Sequence, residues 1–347
     1  MPDISIGRQG WLAIGLEDTP GTAVESEKFI PFDSCDLSSQ IEILNDESAK
    51  GVREASWGST VQQHSGGGDI ETKTDVEIGP YLLIPALGDY TSEEITLFDE
   101  GTAYRHIIGR KASNPPQTAT FYFNNTVEVR QFTYSTFENL EISFSDEWAT
   151  LSGTIISRQP TTITDADDNY PGAPSYTDDK AFSFKDARIY FVNDVTDDDQ
   201  LIEDNEAKVS DFNFTMNNNS EAQYLSGSSS PAEISLGEFS AEGDYTIFFD
   251  SPEEREKLES QAKRGMVVVF EGDQIGNLDD DGTEGDPVYE EIRLKIPSFN
   301  VTTRSIDTSP SDFVTENPEF TANYDESVGS LQVEIVNKHA DYLSTTS

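Results

Sequence analysis

The chain has 347 residues, with 66 Asp and Glu against 22 Lys and Arg, a formal charge of −44. That balance excludes a protein that grips nucleic acid, because replacing counterions on phosphates takes a basic surface. Hydrophobic residues make up only 35%, yet 20 Phe and 13 Tyr are too many for a disordered acidic chain, so a sizeable core is expected.

No run of about 18 apolar residues occurs, so no membrane-spanning helix is expected. The opening MPDISIGRQGWLAIG has neither the basic nor the apolar region of a signal peptide, and none is expected. The one cysteine, Cys35, permits no intrachain disulfide and no cysteine-based zinc cage. Repulsion among this many carboxylates is screened in molar salt, where the Debye length falls to about 3 Å. The acids run through both halves, and lysine is sparse. The reading is a halophilic origin; a DNA mimic and a calcium-loaded extracellular protein are the alternatives.

Along the chain the main local signal is period-two alternation, the mark of half-buried strands. A strand is expected around Cys35–Leu44, then a long polar loop, Asn45–Gly68. In Asp69–Ile78 the residues Ile70, Thr72, Thr74, Val76 and Ile78 face one way and the charged residues the other. Pro80–Gly88 (PYLLIPALG) is expected to form a short apolar helix, bent or shortened by Pro85. Leu140, Ile142 and Phe144 alternate in Asn139–Ser145, and the first set of strands ends near Ser157.

Arg158–Lys180 is rich in Pro, Gly and acids and reads as a linker. Beyond it, Val209–Asn217 alternates Phe212, Phe214 and Met216 with polar residues. A polar loop follows at Asn218–Pro231, then strands in Ala232–Phe249. A helix is expected at Ser251–Gly265, with Ser251 as cap, Pro252 at its first position and Glu254 closing a capping box. Leu331, Val333 and Ile335 alternate near the end. Strand, long loop, strand, helix and further strands thus occur twice, which points to a structural duplication.

Chemistry is hard to find. His64, His106 and His339 stand in no metal spacing, and no nucleophile elbow or phosphate loop is present. Asn277–Gly282 (NLDDDG) matches the first half of a calcium loop, so Asn277, Asp279 and Asp281 are weak metal candidates. The loop then fails, because Val288 stands where a bidentate Glu is needed; an acidic hairpin loop is the plainer reading. Asp194–Glu206 reads as a solvated acidic loop. Cys35 reads as a structural thiol on a strand. No enzyme is visible, and no cofactor is implied.

Three stretches resemble the major tail (tail tube) protein of long-tailed viruses of the siphovirus type. They are GRQGWLAIGLEDTPGTAV with FIPFDSCDLS; the segment from Ala55 to Asp89; and TVEVRQFTYSTFENLEISFSDEWATLSGTIISRQP. The second half resembles the family through its order of parts and the ending LQVEIVNKHADY. The resemblance implies a mainly β protein with two β-sandwich or barrel tube domains, at 1–157 and 181–347, each with one short helix and a long loop. Residues 158–180 would link them. Its implied role is a virion protein, made in the host cytoplasm, that stacks as rings into the tail tube. Other tail proteins would bind the tube ends, DNA would pass without specific binding, and no membrane would be a partner.

Two tube domains per chain would make the ring a trimer with pseudo-sixfold symmetry; the rival is a homohexamer with an outward second half. Glu42, Glu71, Glu141 and Asp211 are expected to line the lumen. Asn45, Arg53, Trp57, His64, Asn218 and Tyr224 are expected in loops that meet neighbouring subunits or rings. The alternative to a tail protein is a surface or secreted β-sandwich binding module of a halophile.

Overall fold

The computed structural model describes residues 7–51, 53, 55–98, 101–176, 180–248, 264–280, 282–307 and 314–343. Its principal elements before residue 158 are β1 (Trp11–Leu16), β2 (Ser38–Asn45), β3 (Ser59–Lys73), α1 (Gly79–Leu87), β4 (Gly88–Leu97), β5 (Gly101–Arg110), β6 (Ala119–Asn124), β7 (Val129–Phe144) and β8 (Thr150–Ser157). After residue 180 come β9 (Ala187–Val192), β10 (Val209–Asn217), β11 (Ser240–Phe248), β12 (Gly265–Asp280), β13 (Thr283–Ile296), β14 (Phe299–Asp307), β15 (Thr315–Ala322) and β16 (Gln332–Asn337). The protein is mainly β, as the alternation predicts. The polar loop expected at Asn45–Gly68 is shorter than that, because β3 already begins at Ser59. Most of the helix expected at Ser251–Gly265 lies outside the described residues, and Gly265 itself opens β12.

One antiparallel ladder runs β2–β3–β8–β7–β10–β11–β15–β14. Alternation along these strands puts Leu140, Ile142, Leu151, Phe212, Phe214 and Phe320 on one face. A second ladder, β9–β12–β13–β16–β5–β4, lies against that face and contributes Val268, Phe270, Ile292, Leu294 and Ile335 to the same core. Strands from before and after residues 158–180 are neighbours in both ladders: β7 lies beside β10, and β5 beside β16. One core draws on both halves, because β7 and β10 align their apolar alternation side by side, with Phe144 stacked on Phe212 at 5.5 Å.

β7 also serves a third layer. Its first part pairs with β6, which pairs with β1. The chain turns at Tyr134, whose φ of +54° is left-handed, and the second part enters the long ladder. Parts of residues 158–176 lie on this layer. Thr161–Ile163 pair with Val129–Gln131, and the Tyr170 ring meets Trp11 edge-on at 6.4 Å.

α1 forms where the sequence predicts it. Asp75 Oδ1 accepts the Glu77 and Ile78 N–H groups at 2.8 and 2.6 Å, which positions the first turn. Gly88, at φ +90°, stops the helix in the left-handed conformation. Leu82, Leu83 and Ile84 are fully buried, each worth about 1.5–3 kcal/mol of apolar burial. The last carbonyls find partners from three directions: the Thr136 hydroxyl donates to Pro85 O, the Asn218 amide to Ala86 O, and the Lys111 N–H to Leu87 O.

Candidate assembly and lumen surfaces

The long ladder has a second face, turned away from the core, and register shows what stands on it. One row reads Glu71, Ser152, Glu141, Thr215, Glu242, Thr321 and Asn300 across seven strands. The next begins at Lys73, which sits 4.8 Å over the Trp148 ring, and continues through Thr150, Ser143, Asn213 and Asp244 to Glu319. Asp211 joins the same face opposite Thr246. Partial burial pushes the Asp244 carboxyl above its ordinary range, and the nearby Glu319 and Asp211 charges push it further. The face is a polar, acid-rich plane. Of the four acids expected on a lumen wall, Glu71, Glu141 and Asp211 share it, and Glu42, opposite Gln63, occupies the same side of β2 by alternation.

Among the described residues the outer edge of β2 pairs with no strand, and neither does that of β14. Beyond Gln40 the β2–β3 hairpin leaves the body as an arm, where Ile41, Ile43, Leu44 and Val61 are each at least half exposed. Trp57 is exposed near its tip, with Lys50 5.1 Å over the ring. Asn45 and Arg53 are exposed on the same arm. An open edge next to exposed aliphatic side chains is a feature that monomeric β proteins avoid.

Three residues expected at neighbour contacts are partly or fully buried within the chain. Asn218 is buried, and its amide donates to Ala86 O at 2.6 Å and Phe137 O at 3.2 Å, which staples the start of its loop to the first half of the chain. The loop that follows folds back over the first half, where the His64 N–H donates to Ser229 O at 2.7 Å, so His64 is half-buried. Tyr224 is half-buried in the same loop.

Two of the weak metal candidates, Asn277 and Asp279, lie near the tip of the β12–β13 hairpin. Asn277 donates to Glu284, and Asp279 accepts the Gly282 N–H at 2.7 Å, so both side chains serve the turn. Asp281 lies outside the described residues. Among the described residues no group of His, Cys, Asp and Glu is placed to hold a metal ion. Cys35 is half-buried, and burial pushes its thiol up to about 12, far from a reactive thiolate.

Sequence reading missed a buried constellation. Glu17 accepts from the hydroxyls of Thr118 and Thr120 and from the N–H groups of Gly21 and Tyr134. His106 is fully buried between Tyr90 and Asn337. Little in the sequence marks either one: Glu17 follows the apolar run Trp11–Leu16 beside Asp18, and His106 stands beside Arg105.

These surfaces define a structural protein, one whose conspicuous features are open strand edges and a charged plane. A family-level comparison matches residues 7–324 to the phage tail tube protein family. The chain belongs to that family, and it is a structural protein of the virion tail. Comparison with curated proteins gives no match.

Proposed function

We propose that this protein polymerises as rings of three chains, stacked into the tube through which viral DNA passes into the host. The observation that carries the reading is a repeat in the long ladder. Its first four strands, β2–β3–β8–β7, follow the chain order first, second, fourth, third. The next four, β10–β11–β15–β14, follow the same order. One chain thus carries two tube units, from the 1–157 and 181–347 segments, joined head to tail with an open edge at each end. Head-to-tail contacts close into a ring when the rotation allows, and three chains supply six units.

At about 4.8 Å between strands, three eight-stranded ladders give a wall about 115 Å around, widened further by strand tilt. That leaves room for a DNA duplex. The acid-rich face turns inward in this arrangement, with Glu71, Glu141, Asp211 and Glu42 on the wall. A wall that releases no counterions repels phosphates, so the genome slides without sticking. The arm with Trp57 reaches the next ring, and other tail proteins cover the two ends of the tube. The charge of −44 fits a long-tailed virus of a halophilic host, where salt screens the repulsion between subunits.

Cryo-electron microscopy of purified protein in molar salt tests this reading. Rings of three chains with pseudo-sixfold symmetry are expected. Six full chains per ring would reject the trimer, and dispersed monomers at all salt concentrations would reject polymerisation.

A further inference from the structure

The repeat within the ladder also specifies how one copy meets the next, residue by residue. The two sets of four strands share an irregularity. In the first, a bulge separates the pair Thr154–Asn139 from the pair Ile155–Phe137. In the second, a bulge separates Glu319–Thr303 from Phe320–Val301. Aligning the bulges makes Ile155 the counterpart of Phe320, and Asn139 that of Thr303. The alignment then propagates through the ladders. Ile155 pairs with Gly68 and Phe320 with Gly243, so a glycine meets a glycine. From Gly67 and Glu242 it follows that Ser38 is the counterpart of Thr215. Across β7, Glu141 corresponds to Ser305 and Ile142 to Ile306.

Inside the chain, the third strand of the first unit pairs with the first strand of the second: Glu141 with Thr215, Ile142 with Phe214, Asn139 with Asn217. We propose that the same junction recurs between chains, with β14 of one copy pairing antiparallel to residues 37–40 of the next. Ser305 then stands opposite Ser38, Ile306 opposite Leu37, and Thr303 opposite Gln40. The proposal rests on the ring-forming reading and adds to it a partner strand and a register.

A second observation points the same way. Ile142 and Phe214, the internal pair, are buried. Ile306, the counterpart of Ile142, points toward the core side of its strand, opposite the buried Glu316, yet is 50% exposed; among the described residues no strand pairs with the outer β14 edge. Leu37 from the next copy supplies the missing neighbour. The junction between chains thereby repeats the junction within the chain, and every pair of adjacent units in the ring becomes equivalent in backbone geometry.

Register is measurable by disulfide trapping. The Asn218 N–H donates to Glu138 O, and alternation from there makes Glu141–Thr215, and so Ser305–Ser38, a non-hydrogen-bonded pair. Such pairs hold their Cα atoms about 4.5 Å apart, within the span of a disulfide. The variant Ser38→Cys/Ser305→Cys, in a Cys35→Ser background, is assembled in molar salt and oxidised. Covalent oligomers in non-reducing gels, absent for either single variant, are expected, ending at a closed trimer. Stronger linking by Gln40→Cys/Ser305→Cys would overturn the register. Rings seen by microscopy that yield no link in either variant would overturn edge pairing while leaving the tube reading intact. A ladder ending at six chains would uphold the pairing and reject the trimer. Ile306→Asn gives an independent check that adds no charge opposite Glu316: the monomer is expected to melt close to the parent and to form no rings, and rings formed as readily as the parent's would overturn the proposal.

Discussion

The Glu17 carboxylate accepts the backbone N–H of Tyr134 at 2.9 Å, and Tyr134 is where β7 turns out of one sheet into another. A non-glycine residue at φ +54° costs on the order of 1–3 kcal/mol and persists only where its surroundings hold it. Glu17 is part of that hold. Its other oxygen accepts the Gly21 N–H at 2.6 Å, so a fixed backbone donor points at each oxygen.

Glu17→Gln therefore aims an amide at a backbone N–H whichever way it is turned. A loss of about 1–3 kcal/mol is expected from the unsatisfied donor, read by thermal melting of the monomer in molar salt. Desolvation holds the Glu17 carboxyl above its ordinary 4.5 despite its four hydrogen bonds. A raised folded-state value means a contribution fully present below 4.5 and lost as pH rises through the raised value. The gap between parent and variant is thus expected to narrow as pH rises; a gap that widens would contradict the assignment.

His106 has the opposite sign. Asn337 uses its amide to donate to Val76 O and the Tyr342 hydroxyl, which leaves its oxygen to accept from His106 Nε2, while the Tyr90 hydroxyl donates to Nδ1. The ring is neutral in this network, and burial depresses its basicity below 6.5. Its contribution is present above 6.5 and is lost as pH falls through the depressed value. His106→Gln is expected to flatten the fall in melting temperature on the acid side of 6.5; an unchanged slope would show that other groups set it.

The arm separates assembly from folding. Ile43 and Trp57 are exposed and touch little of the core, so Ile43→Asp and Trp57→Ala are expected to leave monomer stability within about 0.5 kcal/mol. Tube length in negative-stain images is expected to collapse. Normal tubes from the double variant would remove the arm from the contacts between rings.

Salt should control assembly more than it controls the fold of one chain. Dilution from molar salt to about 0.01 M lengthens the Debye range from about 3 to about 30 Å. Light scattering is expected to fall as rings separate. Rings unchanged at low salt would show that neighbouring acids lie farther apart than the ladder repeat places them.

The acidic plane gives a test with a sign. Glu71→Lys, Glu141→Lys and Glu242→Lys together convert one row of the wall to basic. Assembled variant tubes are expected to retain duplex DNA with a steep salt dependence, where the parent retains none. Variant tubes that ignore DNA would place this face outside the lumen.

Much of the local structure was legible in the sequence. Val209–Asn217 is a strand with the expected face buried, because period-two alternation is a property of the strand itself. α1 was legible because Pro80 suits a first turn and Gly88 suits the left-handed stop. The open acidic face was legible for the same reason as the strands, since alternation assigns Glu71, Glu141 and Asp211 to the side opposite the apolar residues.

Which strands became neighbours was decided by the tertiary structure. Backbone edges carry the same donors and acceptors whatever the side chains, so no residue in β7 names β10 as its partner. The pairing is settled by which arrangement closes a common core, and it brings together residues such as Phe144 and Phe212 that lie far apart in the chain. The burial of Asn218 has the same origin: its acceptors, Ala86 O and Phe137 O, come within reach only once the second half has folded against the first. The turn at Tyr134 and its hold by Glu17 have the same origin, because a residue without a left-handed preference is kept there by donors and acceptors that only the assembled sheets supply.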